Sequence, residues 1–254
     1  MRILRVIGIG TGDPEHLTLQ AVRALAEVDA VFVLDKGGDT DDLVALRRTI
    51  CARHIRNAYR LVVAQDPPRE RRPADYAATV DAWHAARADL LGGLIAKNLG
   101  AGEVGAVLVW GDPALYDSTL RILDRILAQD AQAFAYTVIP GISSVQMLAA
   151  AHRIPLNRIG GAVHITTGRA IADGLPEGVG SVVVMLDADP RFDHLDPDLT
   201  IHWGAYLGSP DQILIAGRLG TVGPEIRRQR AAARLRHGWI MDVYLLQGPE
   251  TRPR

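Results

Sequence analysis

The sequence has one cysteine, Cys51, and its 28 basic residues include only two lysines, Lys36 and Lys97. A single thiol excludes an internal disulfide framework and offers no cysteine metal cluster; it reads as a helix-face residue rather than a nucleophile. No apolar run approaches the roughly 18 residues that would suggest a membrane span. The opening "MRILRVIGIG" is interrupted by Arg5 and glycines before it could act as an export signal, so the expected compartment is the cytoplasm. An excess of charge of either sign is also missing. The formal net charge is -1, and without a basic tail a large nucleic-acid footprint is disfavoured and small substrates are favoured. The arginine bias suits planar recognition of carboxylates, but codon usage accounts for it equally well.

What is present is a chain of 254 residues, 48% hydrophobic, long enough to bury a large core or two smaller ones. Short apolar runs alternate with helical patterns. "ILRVIGIG" reads as a buried strand, "LTLQAVRALAEV" as a helix with Leu17, Val22, Leu25 and Val28 on one face, and "AVFVL" as the next strand, a βαβ unit. "VLVW" and "AYTVIPG" supply further strands, separated by "TLRILDRILAQ" with Leu120, Leu123, Ile126 and Leu127 on one side. Beyond the helix "SVQMLAAAHRI", the strands "VHITTG", "SVVVML", "IHWGAYL", "DQILIAGRLG" and "WIMDVYLLQG" follow one another more closely. This spacing predicts a doubly wound parallel sheet in residues 1–137 and a mixed sheet in residues 138–254. The Pro- and charge-rich "AQDPPRERRPADY" reads as a surface loop within the first half.

Three strand ends carry the candidate chemistry. "GIGTGDPEHLT" offers a glycine-rich strand-to-helix turn, but Gly8, Gly10 and Gly12 form G-x-G-x-G rather than the dinucleotide spacing. Asp13 would also repel a pyrophosphate, so a dehydrogenase is disfavoured. A tight turn for backbone reasons alone is the other reading of these glycines. In "VLVWGDPALYDST", Gly111 permits close backbone approach and Asp112, at a strand end, suits an ammonium or another localised positive charge. The alternative is that Asp112 caps its own turn, with Asp117 or Ser118 capping the helix that follows. In "VIPGISSVQMLAAA", Ser143 or Ser144 opens a helix whose free N–H groups face a strand end.

These three segments, in this order and spacing, resemble the tetrapyrrole (precorrin) methyltransferases of cobalamin and sirohaem biosynthesis, over essentially the whole chain. With "DAWHAARADL", "VHITTGR", "VVVMLD", "WGAYLG" and "GWIMDVYLL", the likeness is to the deacetylating members of that family. The resemblance implies two α/β domains with S-adenosylmethionine in the cleft between them, no metal, and a homodimer. It implies methylation of precorrin-5 at ring carbon C1, giving precorrin-6A with release of acetate; a precorrin or uroporphyrinogen methyltransferase without deacetylation is the alternative. Carried over residue by residue, it assigns cofactor contacts to Pro14, Trp110, Gly111, Asp112, Leu115, Tyr116, Ser143 and Ser144. In the second half it assigns them to Met185, Leu186, His202 and Ile240. Trp110 stands where relatives often have Gly, Leu186 where many have Met, and Thr167-Gly168-Arg169 where relatives have Thr-Gly-His. For the deacetylation, Lys36 is the expected donor to the acetyl oxyanion or attacking water, with Tyr116 and Asp117 as the proton relay and Asp187 as a further candidate.

Overall fold

The computed structural model describes residues 1–248 except 36, 38–40, 69, 71–74, 177, 188–189 and 191–193, and it leaves the side chains of 41–43 undescribed. Lys36 therefore lies outside the described residues. The chain divides into two compact units, 1–143 and 144–254. The expected boundary at 137/138 falls inside a strand of the first sheet, which runs on to Ile139 because its pairing with the first strand continues to that residue.

The first unit holds strands β1 (Ile3–Gly8), β2 (Ala30–Asp35), β3 (Arg60–Gln65), β4 (Val104–Val109) and β5 (Ala135–Ile139) in the order β3-β2-β4-β1-β5. All of its pairings are parallel. Helices α1 (Leu19–Leu25) and α2 (Asp41–His54) cover one face, where Leu25, Ile50 and Cys51 pack on Ile7, Val31 and Leu108. Helices α3 (Tyr76–Asn98) and α4 (Thr119–Gln129) cover the other, with Leu91, Ile95, Ile122 and Leu123 against Leu4, Val6 and Phe32. Strands buried on both faces must be continuously apolar, which is why the runs in the sequence do not alternate. Cys51 sits in this core, and burial pushes its thiol up to about 11, so it is a core residue rather than a nucleophile. Within "AQDPPRERRPADY", Asp66 is buried and bonded to Arg87 of α3 (2.7 Å), so this end of the expected surface loop is anchored to the core.

The second unit opens with α5 (Ser144–His152). It then forms β6 (Val163–Thr167), β7 (Ser181–Met185), β8 (Thr200–Ala205), β9 (Ile213–Arg218) and β10 (Asp242–Gln247), in the order β6-β7-β10-β8-β9. Only β6 and β7 pair in parallel, so the sheet is mixed, as expected. The strand expected from Trp239 starts at Asp242, and the one expected through Gly220 ends at Arg218. Between them lies α6 (Leu219–His237), which the apolar pattern did not announce. It covers Val182, Val184, Ile201, Trp203, Tyr244 and Leu246. On the opposite face α5 packs Leu148 over Gly204 and stacks His152 edge-on against His202.

Candidate functional site

The carboxyl ends of β1, β4 and β5 lie side by side, where loops from a parallel sheet gather around a ligand. In this protein they are joined by backbone. Gly10 and Gly111 form an isolated antiparallel bridge, with the Gly111 N–H donating to Gly10 O at 2.7 Å and the reverse bond at 3.3 Å. Gly141 closes the third side. A Cβ on it would stand 2.1 Å from Gly111 O and 2.7 Å from Gly8 C, so no side chain fits between these three loops. Asp112 clasps the assembly: Oδ1 accepts from its own turn at Ala114 N (2.8 Å) and Oδ2 from Gly141 N (2.9 Å). The turn-capping alternative thus describes its visible contacts, and both oxygens keep lone pairs for a further donor. Asp13 behaves similarly, accepting from Glu15 N at 2.8 Å to cap the short 3-10 turn Pro14–His16. On either side of the glycine bridge, the buried Thr11 Oγ1 and Trp110 Nε1 have no hydrogen-bond partner among the described residues.

After the bridge, Pro113 is buried and Leu115 half-buried, and Tyr116 adopts a left-handed backbone (φ 52°) with an exposed ring. A non-glycine residue there is uncommon and draws attention to the loop. Asp117 Oδ1 accepts from Thr119 N at 2.6 Å, at the start of α4, while Ser118 Oγ pairs with Arg87 Nη1 (3.0 Å). The helix-capping role expected of this pair therefore falls to Asp117. Arg47, which the sequence reading passed over, reaches this loop from α2. Its Nε donates to Leu108 O at 3.2 Å and its guanidinium lies 5.7 Å from the Trp110 ring centroid. Burial draws its pKa down to about 10, with Asp117 pulling the other way. Ser143 is buried and Ser144 begins α5.

In the second unit the strand register lines up the ends of β6, β7 and β8. Met185 pairs with both Thr167 and Val243, and Val243 with Gly204. His202 pairs with Leu245, two residues further into the sheet, and therefore shares its face with Met185. Its pKa is lowered by burial and by the neighbouring His152. His202 Nδ1 is buried without a partner among the described residues, whereas His152 Nε2, facing Trp203 O at 3.0 Å, carries the proton there. Ile240 is set apart from them, packed against the α6-side cluster. Leu186 has a left-handed backbone (φ 52°) and stands 65% exposed. Asp187, next to it, accepts from Tyr244 Oη at 2.6 Å, and Arg230 Nη2 donates to its carbonyl at 2.6 Å. Arg230 also escaped the sequence reading. Its signal was a charge at an inward position of α6, in step with Ile226 and Ala233.

What these groups can do is bind and orient. Each unit by itself carries features that suit a polar organic ligand: in the first, a glycine cradle with orphaned buried polar atoms beside it, and in the second, the orphaned His202 Nδ1 on the face it shares with Met185. Among the described residues no group of three or more His, Cys, Asp or Glu side chains is placed to hold a metal ion, and no helix is long and apolar enough to cross a membrane.

Residues 4–223 match the family model of the Tetrapyrrole (Corrin/Porphyrin) Methylases. Over 249 residues, 97% of this chain and 95% of the relative, the sequence is 49% identical to a precorrin-6A synthase [deacetylating] of Sinorhizobium sp. The crystal structure of a cobalamin synthesis related protein (CobF) from Corynebacterium diphtheriae aligns at a TM-score of 0.84 with 39% identity, covering 98% of this chain and 100% of that one. A uroporphyrin-III C-methyl transferase from Thermus thermophilus, complexed with S-adenyl homocysteine, shares the fold at a TM-score of 0.56 and 18% identity over 97% of each chain. On the family model and the full-length relatives together, this chain belongs to the tetrapyrrole methylases.

Proposed function

We propose that the protein is a precorrin-6A synthase (deacetylating): an S-adenosylmethionine-dependent C-methyltransferase that methylates precorrin-5 at C1 and releases acetate. The observation that carries this is the 49% identity, spanning nearly both chains, to a relative bearing that name. When bound, S-adenosylmethionine supplies an electrophilic methyl on a good leaving group, so the protein's part in that transfer is alignment of carbon, methyl and sulfur. The loops at Pro14, Trp110–Asp112, Leu115–Tyr116 and Ser143–Ser144 take its methionine portion. Met185, Leu186 and His202 take its adenosine. A hydrogen bond from the backbone at Leu186 to adenine would be independent of which side chain stands there. Ile240 acts in this reading through the α6-side packing it shares. The protein works in the cytoplasm as a homodimer, with the second sheet contributing to the subunit contact.

The deacetylation adds water across the acetyl carbonyl and expels acetate, leaving the electron pair on ring carbon to attack the methyl group. It needs a donor at the developing oxyanion and a path for the water's proton. Lys36 is assigned the first task, and Tyr116 with Asp117 the second. Asp117 reaches that role while also holding Thr119 N. The test is turnover of precorrin-5 with S-adenosylmethionine, read by mass and by acetate release. Acetate and S-adenosylhomocysteine are expected in equal amounts. Full methyl transfer without acetate would leave a methyltransferase of the non-deacetylating kind. Lys36→Ala should slow single-turnover acetate release by about 10²–10³ while S-adenosylhomocysteine binding stays intact. Release within about twofold of wild type would return Lys36 to the status of a solvated loop residue.

A further inference from the structure

The turn after β7 holds its shape against the backbone preference of its own residues. Leu186 occupies the left-handed region at φ 52°, where a Cβ is crowded, and exposes an apolar side chain. Such a conformation persists only where its surroundings impose it. Here the neighbouring Asp187 is fixed at three points. Tyr244 Oη donates to its Oδ2 (2.6 Å), Arg230 Nη2 donates to its carbonyl (2.6 Å), and Gly168 lies so close that a Cβ there would stand 2.3 Å from Asp187 Cγ.

Behind these contacts lies a second layer. Arg230 Nε donates to Asp242 Oδ2 at 2.8 Å, and the same oxygen accepts from Trp203 Nε1 at 3.0 Å. Tyr244, Trp203 and Arg230 are all buried. Burial and the Asp187 carboxylate push the Tyr244 phenol far above its ordinary range, so it remains a hydrogen-bond donor. A buried ionic cluster of this kind is often no more stable than apolar residues of the same volume, so stability alone is a weak reason for it. Every branch of it ends on Asp187 or on the residues that carry its partners.

We propose that Tyr244 and Arg230 are positioning residues that impose the left-handed conformation on Leu186 and so shape the β7 turn for the nucleoside of S-adenosylmethionine. This rests on the reading above that the turn receives the adenosine. The two side chains act through Asp187 and touch no ligand themselves.

Calorimetric titration of the whole protein with S-adenosylhomocysteine tests it, using Tyr244→Phe, Leu186→Gly and the double variant. Tyr244→Phe should weaken binding about tenfold, since small misplacements of a binding element are costly. Leu186→Gly, which removes a side chain assigned to the adenosine, sets its own reference affinity, and in the double variant glycine, which takes positive φ without support, should hold binding within about twofold of that reference. A merely structural tyrosine would cost as much in the glycine background as in the wild type. Arg230→Lys keeps a cation beside Asp242 but gives up the fork that reaches the Asp187 carbonyl, and it carries the same expectation independently of how Tyr244→Phe folds. Wild-type affinity in Tyr244→Phe or Arg230→Lys, or a double variant about tenfold weaker than Leu186→Gly, overturns the positioning role alone. If wild-type protein fails to bind S-adenosylhomocysteine, the adenosine reading falls and takes the proposal with it.

Discussion

The two units solve one problem, holding loops at strand ends, with opposite materials. In the first, the loops after β1, β4 and β5 meet backbone to backbone through Gly8, Gly10, Gly111 and Gly141, and one carboxylate, Asp112, ties them. In the second, the turn after β7 is held by side chains reaching from α6 and β10, with a buried arginine, tyrosine and Asp242 carboxylate behind a partly buried Asp187. Glycine contact is short-ranged and steric, so it fixes distance. A buried ionic cluster is directional, so it fixes orientation at the expense of desolvation.

If that contrast is right, breaking the ionic cluster has the largest effect on stability. Arg230→Ala leaves Asp242 buried without its cation, and unfolding by denaturant should show a loss of about 3–5 kcal/mol. The loss should also depend on pH. Burial already raises the Asp242 pKa against the opposing pull of Arg230, so the folded state binds this proton more tightly than the unfolded chain does. Removing Arg230 strengthens that bias, so the deficit should be greater at pH 8 than at pH 5, where protonation relieves it. Equal deficits at the two pH values would mean that Asp242 is not the group left stranded.

The next effect is steric. Gly141→Ala puts a methyl 2.1 Å from Gly111 O, a backbone atom that cannot swing aside, and should cost about 2–3 kcal/mol, seen as a fall in Tm in scanning calorimetry. An unchanged Tm would show that the three loops are looser than their spacing implies. Asp112→Asn is gentler. The amide has one acceptor oxygen where Ala114 N and Gly141 N use two, so a loss of about 1–2 kcal/mol is expected by the same method. S-adenosylhomocysteine affinity should fall with it; intact stability and intact affinity together would remove Asp112 from both roles.

The smallest effect belongs to His202. Its folded pKa lies below the ordinary imidazole value, so the unfolded chain binds the proton more readily and stability is lost as pH falls below about 6.5. His202→Gln removes that titration, and its Tm should decline less than wild type between pH 7 and pH 5. Parallel curves would show that His202 contributes nothing to acid sensitivity.

The strands and the glycine loops were legible because each is local: apolar runs between turn residues give β1, β2, β4 and β5, and Gly-Asp-Pro or Pro-Gly marks where two of them end. Helix α6 was not, because its inward face is built from Leu219, Gly223, Ile226, Arg230 and Ala233, with Pro224 inside it, rather than from a stripe of large apolar residues. Asp112 showed that it sits at a strand end but not what it grips, since Gly141 is distant in sequence and meets it only in the fold. The same applies to Arg230 and Tyr244, whose partner Asp187 comes from another strand end. Arg47 gave no local sign, because nothing in α2 separates an arginine lying over Trp110 from one in water.

The Gly10–Gly111 bridge couples the first unit's loops mechanically. With reciprocal bonds across two residues that have no side chains to cushion them, the loops after β1 and β4 translate together or not at all. Neither can act as a lid over the other. Through Asp112 and Gly141 the loop after β5 joins the same set of contacts, so displacing any one of the three loops strains its bonds to the other two.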